Sequence, residues 1–283
     1  MPTLRTKDTT VQTLLVGDSG TGKTGSLASI INNMDKLGLK QVIIQDWDGG
    51  IDILVGYVNP EMFDRVFFQT FRDKYKATEA GPMVKGNAEA FTKGMKALNR
   101  WKDGEVDLDS ASSWGPDTLF VCDSLTGMGD AAINWSRAQN QAKLEDSDWQ
   151  YTADAMNRQD KLTQMLMSLD CHVIITAHIR YLGGGGNQEI KTKDGAKQLK
   201  EVDSRTEGIG YPSALGRKLP TEIGRHFNTI LEFEVNQLGK RQIRTKQAHN
   251  VRVKSAVVNI PDTLTIETGL YEFFKAAKGG NTK

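Results

Sequence analysis

An apolar segment that runs directly into a glycine-rich stretch constrains this sequence more than any other feature. Residues 13–16 predict a buried strand, and residues 17–24, GDSGTGKT, match the pattern G-x-x-x-x-G-K-T. Glycines in such a run let the backbone curl so that successive N–H groups point at phosphate oxygens, and the following helix adds its positive dipole end. The pattern therefore predicts a phosphate-binding loop, with a chance glycine-rich turn as the simpler alternative.

The residue types in this loop predict binding of ATP and Mg²⁺. Lys23 would neutralise the β and γ phosphates, and the hydroxyl of Thr24 would ligate Mg²⁺. A second metal ligand is expected after another buried strand, where Asp123 follows the apolar residues 118–122, although such a residue is also a common turn starter. The predicted nucleotide contacts in the loop are Gly17, Asp18, Ser19, Gly20, Thr21, Gly22, Lys23 and Thr24.

Short apolar runs separated by helix-length segments predict a doubly wound α/β fold. The runs typical of buried parallel strands are residues 13–16, 41–45, 65–71, 118–122 and 172–176. Apolar side chains at helical spacing lie between several of these runs. The closely spaced strand candidates that predict an antiparallel extension at one sheet edge are residues 227–235, 241–247 and 251–258.

The length of 283 residues predicts one large ATPase domain over residues 11–260. A short N-terminal arm, residues 1–10, would precede it, and a C-terminal helix and tail, residues 261–283, would follow. Two polar, glycine-containing stretches, residues 102–115 and 183–220, predict loops, and the second is long enough to be a mobile functional loop.

The composition indicates a cytoplasmic protein with no membrane partner. No stretch approaches the roughly 18 apolar residues of a membrane span, and the N-terminus lacks the apolar core of a signal peptide. Cys122 and Cys171 fall in strand-like runs and are predicted to be reduced, buried thiols. The net charge of +1 gives no indication of a nucleic-acid partner by itself.

Four blocks in order, GDSGTGKT, QVIIQDWDGGID, TLFVCDSLTG and VIITAHIR, resemble a RecA-type core. The chain is most similar to small RecA-like ATPases of bacteriophages that belong with the Sak-type single-strand annealing proteins. The resemblance covers residues 11–258. It implies a RecA-like P-loop fold and an ATPase that acts on single-stranded DNA in phage recombination or annealing, in the host cytoplasm.

The resemblance also implies roles for four polar residues. In RecA-like proteins the second strand ends in a carboxylate that polarises the attacking water; Asp48 falls at that position, usually held by Glu, and Asp46 is the alternative. A purely structural acidic turn would explain both. Asp52 would contact the adenine amino group. His178 would sense the γ-phosphate, although a histidine at a strand end is often just a polar terminus.

Six basic side chains and no acidic one lie within residues 236–260. Arg244 and Lys246 would point to the same face of a strand. Their spacing resembles the paired basic residues that RecA-like and DnaB-like ATPases insert into a neighbouring subunit's nucleotide site, which implies a homo-oligomer, as a ring or a filament. A charged edge that discourages strand-to-strand aggregation is the alternative.

Residues 183–220 lie where RecA-like proteins place their second DNA-binding loop. The segment has seven basic and five acidic side chains, with Tyr211 as the one aromatic residue that could stack on a base. Position supports DNA binding here more than composition does. Two other functions stay open: a DnaB-like or packaging-type motor, and a nucleotide-gated binding protein in which Asp48 is too short for efficient hydrolysis.

Overall fold

Strands and helices alternate along most of the chain. A computed structural model describes residues 10–79, 81–140, 148–183, 186–191, 197–202, 208–248 and 250–279. The strands are β1 (Gln12–Gly17), β2 (Gln41–Asp46), β3 (Val66–Thr70), β4 (Tyr75–Thr78), β5 (Gly81–Val84), β6 (Lys102–Asp103), β7 (Val106–Asp107), β8 (Thr118–Asp123), β9 (His172–Ala177), β10 (Ile179–Leu182), β11 (Gly186–Lys191), β12 (Lys197–Val202), β13 (Ile209–Pro212), β14 (Thr229–Val235), β15 (Arg241–Arg244) and β16 (Thr263–Thr265). The α-helices are α1 (Lys23–Ile31), α2 (Ala90–Asn99), α3 (Leu125–Asn140), α4 (Asp148–Met167), α5 (Leu219–Glu222) and α6 (Gly269–Gly279).

An eight-stranded sheet in the order β16-β15-β14-β1-β9-β8-β2-β3 forms the centre of the fold. The strands from β14 to β3 are parallel, whereas β15 and β16 are antiparallel and extend one edge. The predicted α/β class, a mostly parallel doubly wound sheet with an antiparallel edge extension, is confirmed. Because parallel strands end on the same side, the carboxyl ends of β1, β9, β8 and β2 meet at one edge.

Two apolar layers, one on each face of the sheet, explain why the central strands are nearly continuous apolar runs. One layer packs Phe120 of β8 against Trp101, Trp114 and Leu166, and the other packs Leu15 of β1 against residues of α1 and α6. Every residue of β8 and of β9 is buried. The run 65–71 was predicted to be a buried strand, but it is not fully buried. Its residues 66–70 form β3 at the sheet edge, where only one strand lies beside it.

The third antiparallel edge strand is not residues 251–258. Val251 and Lys254 make only isolated bridges, to Gly210 and Ile230. The segment therefore crosses between two elements and forms no continuous ladder with either of them. The edge strand that pairs with β15 is β16.

Residues beyond 260 pack against the predicted domain 11–260. β16 completes the sheet edge, and α6 buries Phe273 and Phe274 in the same apolar layer as Leu27 of α1. The N–H of Tyr271 also donates a 3.2 Å hydrogen bond to the hydroxyl of Ser29. The expected helix is present, but the expected boundary at residue 260 falls within the packed structure. Residues 1–9 of the predicted N-terminal segment and residues 280–283 of the tail lie outside the described residues.

The segment predicted as a long loop, residues 183–220, contains strands. β10 pairs with β13 in an antiparallel ribbon, and β11 pairs with β12 in a hairpin beyond it. We call residues 179–212 the arm; residues 184–185, 192–196 and 203–207 of it lie outside the described residues. Residues 102–115, also predicted as a loop, contain the short β6–β7 hairpin.

The structure bears on two predictions from composition. Cys122 and Cys171 are free and fully buried, as predicted. Within the described ranges, no helix combines the length and the apolar character that crossing a membrane requires.

Candidate nucleotide site

The glycine-rich run lies between the end of β1 and the start of α1. Gly22 precedes the helix with a φ of 96°, a left-handed conformation that strains any residue with a side chain. Lys23 is the first helical residue, so the unpaired N–H groups of the first turn lie at the end of the loop. This arrangement of backbone donors and a helix N-terminus is suited to binding phosphate.

The loop residues divide into two sets. Those that line the adjoining pocket are Ser19, Gly20, Gly22, Lys23 and Thr24. Gly17, Asp18 and Thr21 are not among the lining residues, and the hydroxyl of Thr21 donates a 2.8 Å hydrogen bond to the carbonyl of Asp18. The second set therefore shapes the turn that presents the first.

The ammonium of Lys23 is folded back onto its own loop. Its Nζ donates hydrogen bonds to the carbonyl oxygens of Gly17, at 2.7 Å, and Asp18, at 3.0 Å. Burial lowers the pKa of Lys23, whereas nearby carboxylates, chiefly those of Asp123 and Asp48, act in the opposite direction. A partly desolvated cation here is well placed to stabilise the phosphates of a nucleotide.

Thr24 and Asp123 are in direct contact. The hydroxyl of Thr24 donates a 2.7 Å hydrogen bond to one carboxylate oxygen of Asp123, and the hydroxyl of Thr176 donates to the other. Burial raises the pKa of Asp123, and the bonds from Thr176 and Thr24 only partly offset that effect. A cation bound beside Asp123 would stabilise its ionised form.

The oxygens of Thr24 and Asp123 fit a magnesium ion. Mg²⁺ prefers oxygen ligands and is usually held by one or two protein groups together with phosphate oxygens and waters. Within the part of the chain that the structure describes, no group of three His, Cys, Asp or Glu side chains could hold a metal. The pair is therefore suited to share an ion with a nucleotide rather than to hold one alone.

Asp48 lies in the turn after β2 and faces His178, the residue after β9. Its Oδ1 accepts a 2.9 Å hydrogen bond from the hydroxyl of Ser124, and its Oδ2 lies 3.7 Å from Nε2 of His178, farther than a hydrogen bond. Burial acts to raise the pKa of Asp48, but the contacts with His178 and Ser124 outweigh it and hold the pKa below its usual range. Asp48 is thus ionised at neutral pH and can accept a proton.

The position of Asp48 is fixed by its neighbours. The N–H groups of Trp47 and Asp48 both donate to the carbonyl oxygen of Asp123, at 2.5 and 3.2 Å. Gly127 of α3 packs so closely that a Cβ at that residue would lie 2.5 Å from Oδ1 of Asp48. Both β8 and α3 therefore hold the turn in one place, as a preorganised site requires.

Asp46, the alternative base, is used in the turn itself. One carboxylate oxygen accepts hydrogen bonds from the N–H groups of Gly49, at 2.7 Å, and Gly50, at 3.3 Å; the other accepts a 2.9 Å bond from the hydroxyl of Thr70. Asp46 is fully buried and does not line the pocket. The geometry therefore favours Asp48 over Asp46 as the base.

One pocket of about 540 Å³ is lined by the loop together with Asp48, Asp123 and His178. Its volume is within the range of small-molecule binding sites. Asp52, expected at the adenine, is exposed and is not among the lining residues, whereas Ile53 is. The short helical turn Ile51–Gly56 places Ile53 at the pocket, so the structure gives no support for contact between Asp52 and the base.

Arg241 is a pocket residue that the sequence analysis missed. A Cβ built on Gly22 would lie 3.6 Å from Cδ of Arg241, which also lines the pocket. Arg241 has no ion-pair partner among the described residues. The only sequence signal was its membership of the basic run. Its position depends on the pairing of β15 with β14, which lies beside β1.

Arg244 and Lys246 are paired with acidic residues of the same chain. Nε of Arg244 lies 2.6 Å from a carboxylate oxygen of Glu234, and Nζ of Lys246 lies 2.6 Å from one of Asp262. Neither residue lines the nucleotide pocket of its own chain. Their expected action on a neighbouring subunit stays a prediction.

The fold and site together define a P-loop nucleotide-binding protein. Residues 9–257 match the model of the AAA domain family, and the chain belongs to that family of P-loop ATPases. A KaiC-like protein from the hyperthermophilic archaeon Pyrococcus horikoshii OT3 is a similar solved structure, with 14% identity, 87% of this chain and 82% of that chain covered, and a TM-score of 0.39. No curated protein matches the sequence.

Proposed function

We propose that the protein binds Mg-ATP in this pocket and hydrolyses it with Asp48 as general base. The observation that supports this most is the convergence of Lys23, the Thr24–Asp123 pair and Asp48 on one pocket. Bound Mg²⁺ would supply charge stabilisation to the phosphates.

Each side chain has a separate role in the proposed reaction. Asp48 takes a proton from a water molecule, whose oxygen bonds to the γ-phosphorus while the bond from that phosphorus to the bridging oxygen breaks, leaving ADP and phosphate. Lys23 stabilises the charge on the phosphate oxygens. His178 contacts Asp48, so it would respond to the state of the γ-phosphate.

The test is release of phosphate from ATP by the purified chain, with Mg²⁺ and with excess chelator. We expect turnover to require Mg²⁺. In Asp123→Asn, turnover should fall strongly while the melting temperature changes little. If Asp123→Asn unfolds the protein instead, Asp123 is a structural residue.

We further propose that the ATPase acts on single-stranded DNA, in recombination or annealing. The supporting observation is the direct link between the site and the arm. β10 begins immediately after His178, and the N–H of Ser213, next to β13, donates a 2.7 Å hydrogen bond to the carbonyl of His178. A shift of His178 on hydrolysis would therefore displace the adjoining ends of β10 and β13 at the base of the arm.

Turnover measured with and without single-stranded DNA separates this proposal from its alternatives. Strong stimulation by DNA supports it, and basal turnover alone indicates a motor that acts on another substrate. ATP binding without turnover would indicate a nucleotide-gated binding protein. One observation favours the nucleotide-gated binding protein as the second candidate. The short side chain of Asp48 lies beside His178, which could respond to the presence of the γ-phosphate.

A further inference from the structure

A second cleft, of about 470 Å³, lies at the base of the arm. Tyr211 and Pro212 of β13 line it, together with residues 220–222 of α5, Arg225, Gln247 and residues 252–254. None of its lining residues lines the nucleotide pocket. The cleft is therefore separate from the ATP site, although β13 is joined through β10 to His178.

Backbone hydrogen bonds on two sides hold the segment that contributes Arg252 and Lys254. The N–H of Arg252 donates to the carbonyl of Gly210 at 3.2 Å. Lys254 and Ile230 exchange two bonds, of 2.7 and 3.1 Å. Val251 and Val253 are buried in the core, so alternation along the extended segment leaves Arg252 and Lys254 exposed on the opposite side.

These two cations are not neutralised within the described part of the chain. Unlike Arg244 and Lys246, neither Arg252 nor Lys254 has an ion-pair partner among the described residues. Partial burial lowers the pKa of Lys254. Such an arrangement favours binding of an anion, because the anion would supply the missing charge.

The rest of the lining is consistent with a nucleotide chain. The guanidinium of Arg252 lies over the ring of Tyr211, 5.7 Å from its centroid, so a cation and an aromatic face are adjacent. Arg225 also lines the cleft, but it already lies 3.7 Å from carboxylate oxygens of both Asp160 and Glu222; Glu222, the one lining carboxylate, also contacts Lys218 at 3.5 Å. Aromatic faces beside phosphate-binding cations are typical of sites for single-stranded nucleic acid.

We propose that this cleft binds single-stranded DNA, with the phosphate backbone at Arg252 and Lys254 and a base stacked at Tyr211. The proposal rests on the proposed action on DNA and assigns it to the base of the arm rather than to its tip. An acidic peptide would satisfy the cations but would make no use of a stacking face. The ribbon of β10 and β13 then connects the bound strand to His178.

The test is fluorescence anisotropy with a labelled oligothymidylate and the full chain. In Arg252→Gln with Lys254→Gln, we expect the Kd to rise at least tenfold and the salt dependence of log K to weaken by about two phosphate contacts. Tyr211→Ala should raise the Kd by roughly tenfold, since stacking is worth ~1–3 kcal/mol per base, whereas Tyr211→Phe, which keeps the ring, should bind nearly as wild type.

The control is Lys36→Gln with Lys40→Gln, which removes two exposed cations near the amino end of β2; Lys40, unlike the cleft cations, is paired with Asp117 at 2.7 Å. Its Kd should stay at the wild-type value. Melting temperatures of all variants establish that they are folded, and if the double cleft variant does not fold, Tyr211→Ala against Tyr211→Phe decides alone.

Three results would overturn the proposal. The first is that wild type binds oligothymidylate and the folded cleft variants bind it with the same Kd. The second is binding of polyglutamate that depends on Arg252 and Lys254 and competes with the oligonucleotide, which would assign the cleft to an acidic protein. The third is no DNA binding by wild type that still hydrolyses ATP, which leaves the ATPase proposal intact. Conversely, cleft-dependent DNA binding without any turnover would support the cleft and refute hydrolysis.

Discussion

The nucleotide pocket and the cleft at the base of the arm differ in whether their polar side chains already have partners. In the pocket, Lys23 bonds to loop carbonyls and Thr24 bonds to Asp123, so these two side chains already have partners, although Arg241 has no ion-pair partner among the described residues. In the cleft, Arg252 and Lys254 have no ion-pair partner among the described residues. A nucleotide must therefore replace existing bonds of Lys23 and Thr24, whereas a phosphate chain would meet two cations that have no ion-pair partner among the described residues.

This difference predicts different responses of the two sites to solution conditions. Binding that replaces hydrogen bonds inside a buried loop depends on geometry and on the metal. Binding to exposed cations weakens steeply with salt, because it depends on released counterions. The variants below test whether the two sites are as distinct as the structure indicates.

The largest effect is expected from Lys23→Ala. Loss of the buried cation should abolish turnover, by roughly a thousandfold or more, because phosphate charge is no longer stabilised. The melting temperature should change little, since Lys23 bonds only to carbonyls of its own loop. Phosphate release and thermal unfolding measure the two effects, and unchanged turnover would remove the nucleotide site itself.

The basic pair Arg244 and Lys246 tests whether the site is completed by a second copy. If these residues act in trans, Arg244→Ala with Lys246→Ala should keep nucleotide binding and lose turnover by a factor on the order of a thousand. Turnover per wild-type subunit should also fall on dilution. Mixing this variant with Lys23→Ala should restore activity at shared interfaces.

Arg241→Ala is the matched comparison for this pair, because Arg241 lines the pocket of its own chain. If Arg241→Ala loses turnover and mixing with Lys23→Ala does not restore it, while the double variant stays active, the cation acts in cis. Arg244 and Lys246 would then serve only their ion pairs with Glu234 and Asp262.

Asp48→Asn should reduce hydrolysis by roughly a hundredfold or more while ATP is still bound, because the base is lost and the phosphate loop is intact. Asp46→Asn should instead lower the melting temperature, since it weakens the bonds to Gly49 and Gly50. Nucleotide binding, turnover and unfolding are measured on both variants. The reverse pattern would mean that Asp46 is the base.

The smallest effect concerns stability beside the P-loop strand. Glu232 of β14 pairs in register with Val16, and burial raises its pKa from 4.5 to about 7, with further raising by Glu234. The stabilisation from its protonated form is complete below pH 4.5 and is lost as the pH rises through about 7. Glu232→Gln should therefore stabilise the fold at pH 8, by on the order of 3 kcal/mol, and not at pH 4.

Thermal unfolding at both pH values measures this effect. Glu61→Gln, a change at an exposed residue, is the control. An equal gain for Glu232→Gln at both pH values would contradict the assignment to burial of a charge.

The parts of the fold that the sequence could predict are those set by local pattern. The run around Lys23 requires left-handed glycines and a helix start within eight residues, and the apolar runs require strands buried on both faces. Asp123 was identifiable because it follows such a strand. These features depend on near neighbours in the chain, so they could be found without knowing what packs against them.

Only the tertiary structure decided the features that depend on distant pairing. The contacts of Asp48 with Ser124 and His178, which favour it over Asp46 as the proposed base, come from residues far along the chain. Arg241 reaches the pocket because β15 lies two strands from β1. The basic run 236–260 looked uniform in sequence, yet long-range packing pairs some of its cations with acids and leaves others open in a cleft, because charge partners are set by which segments meet and not by spacing along the chain.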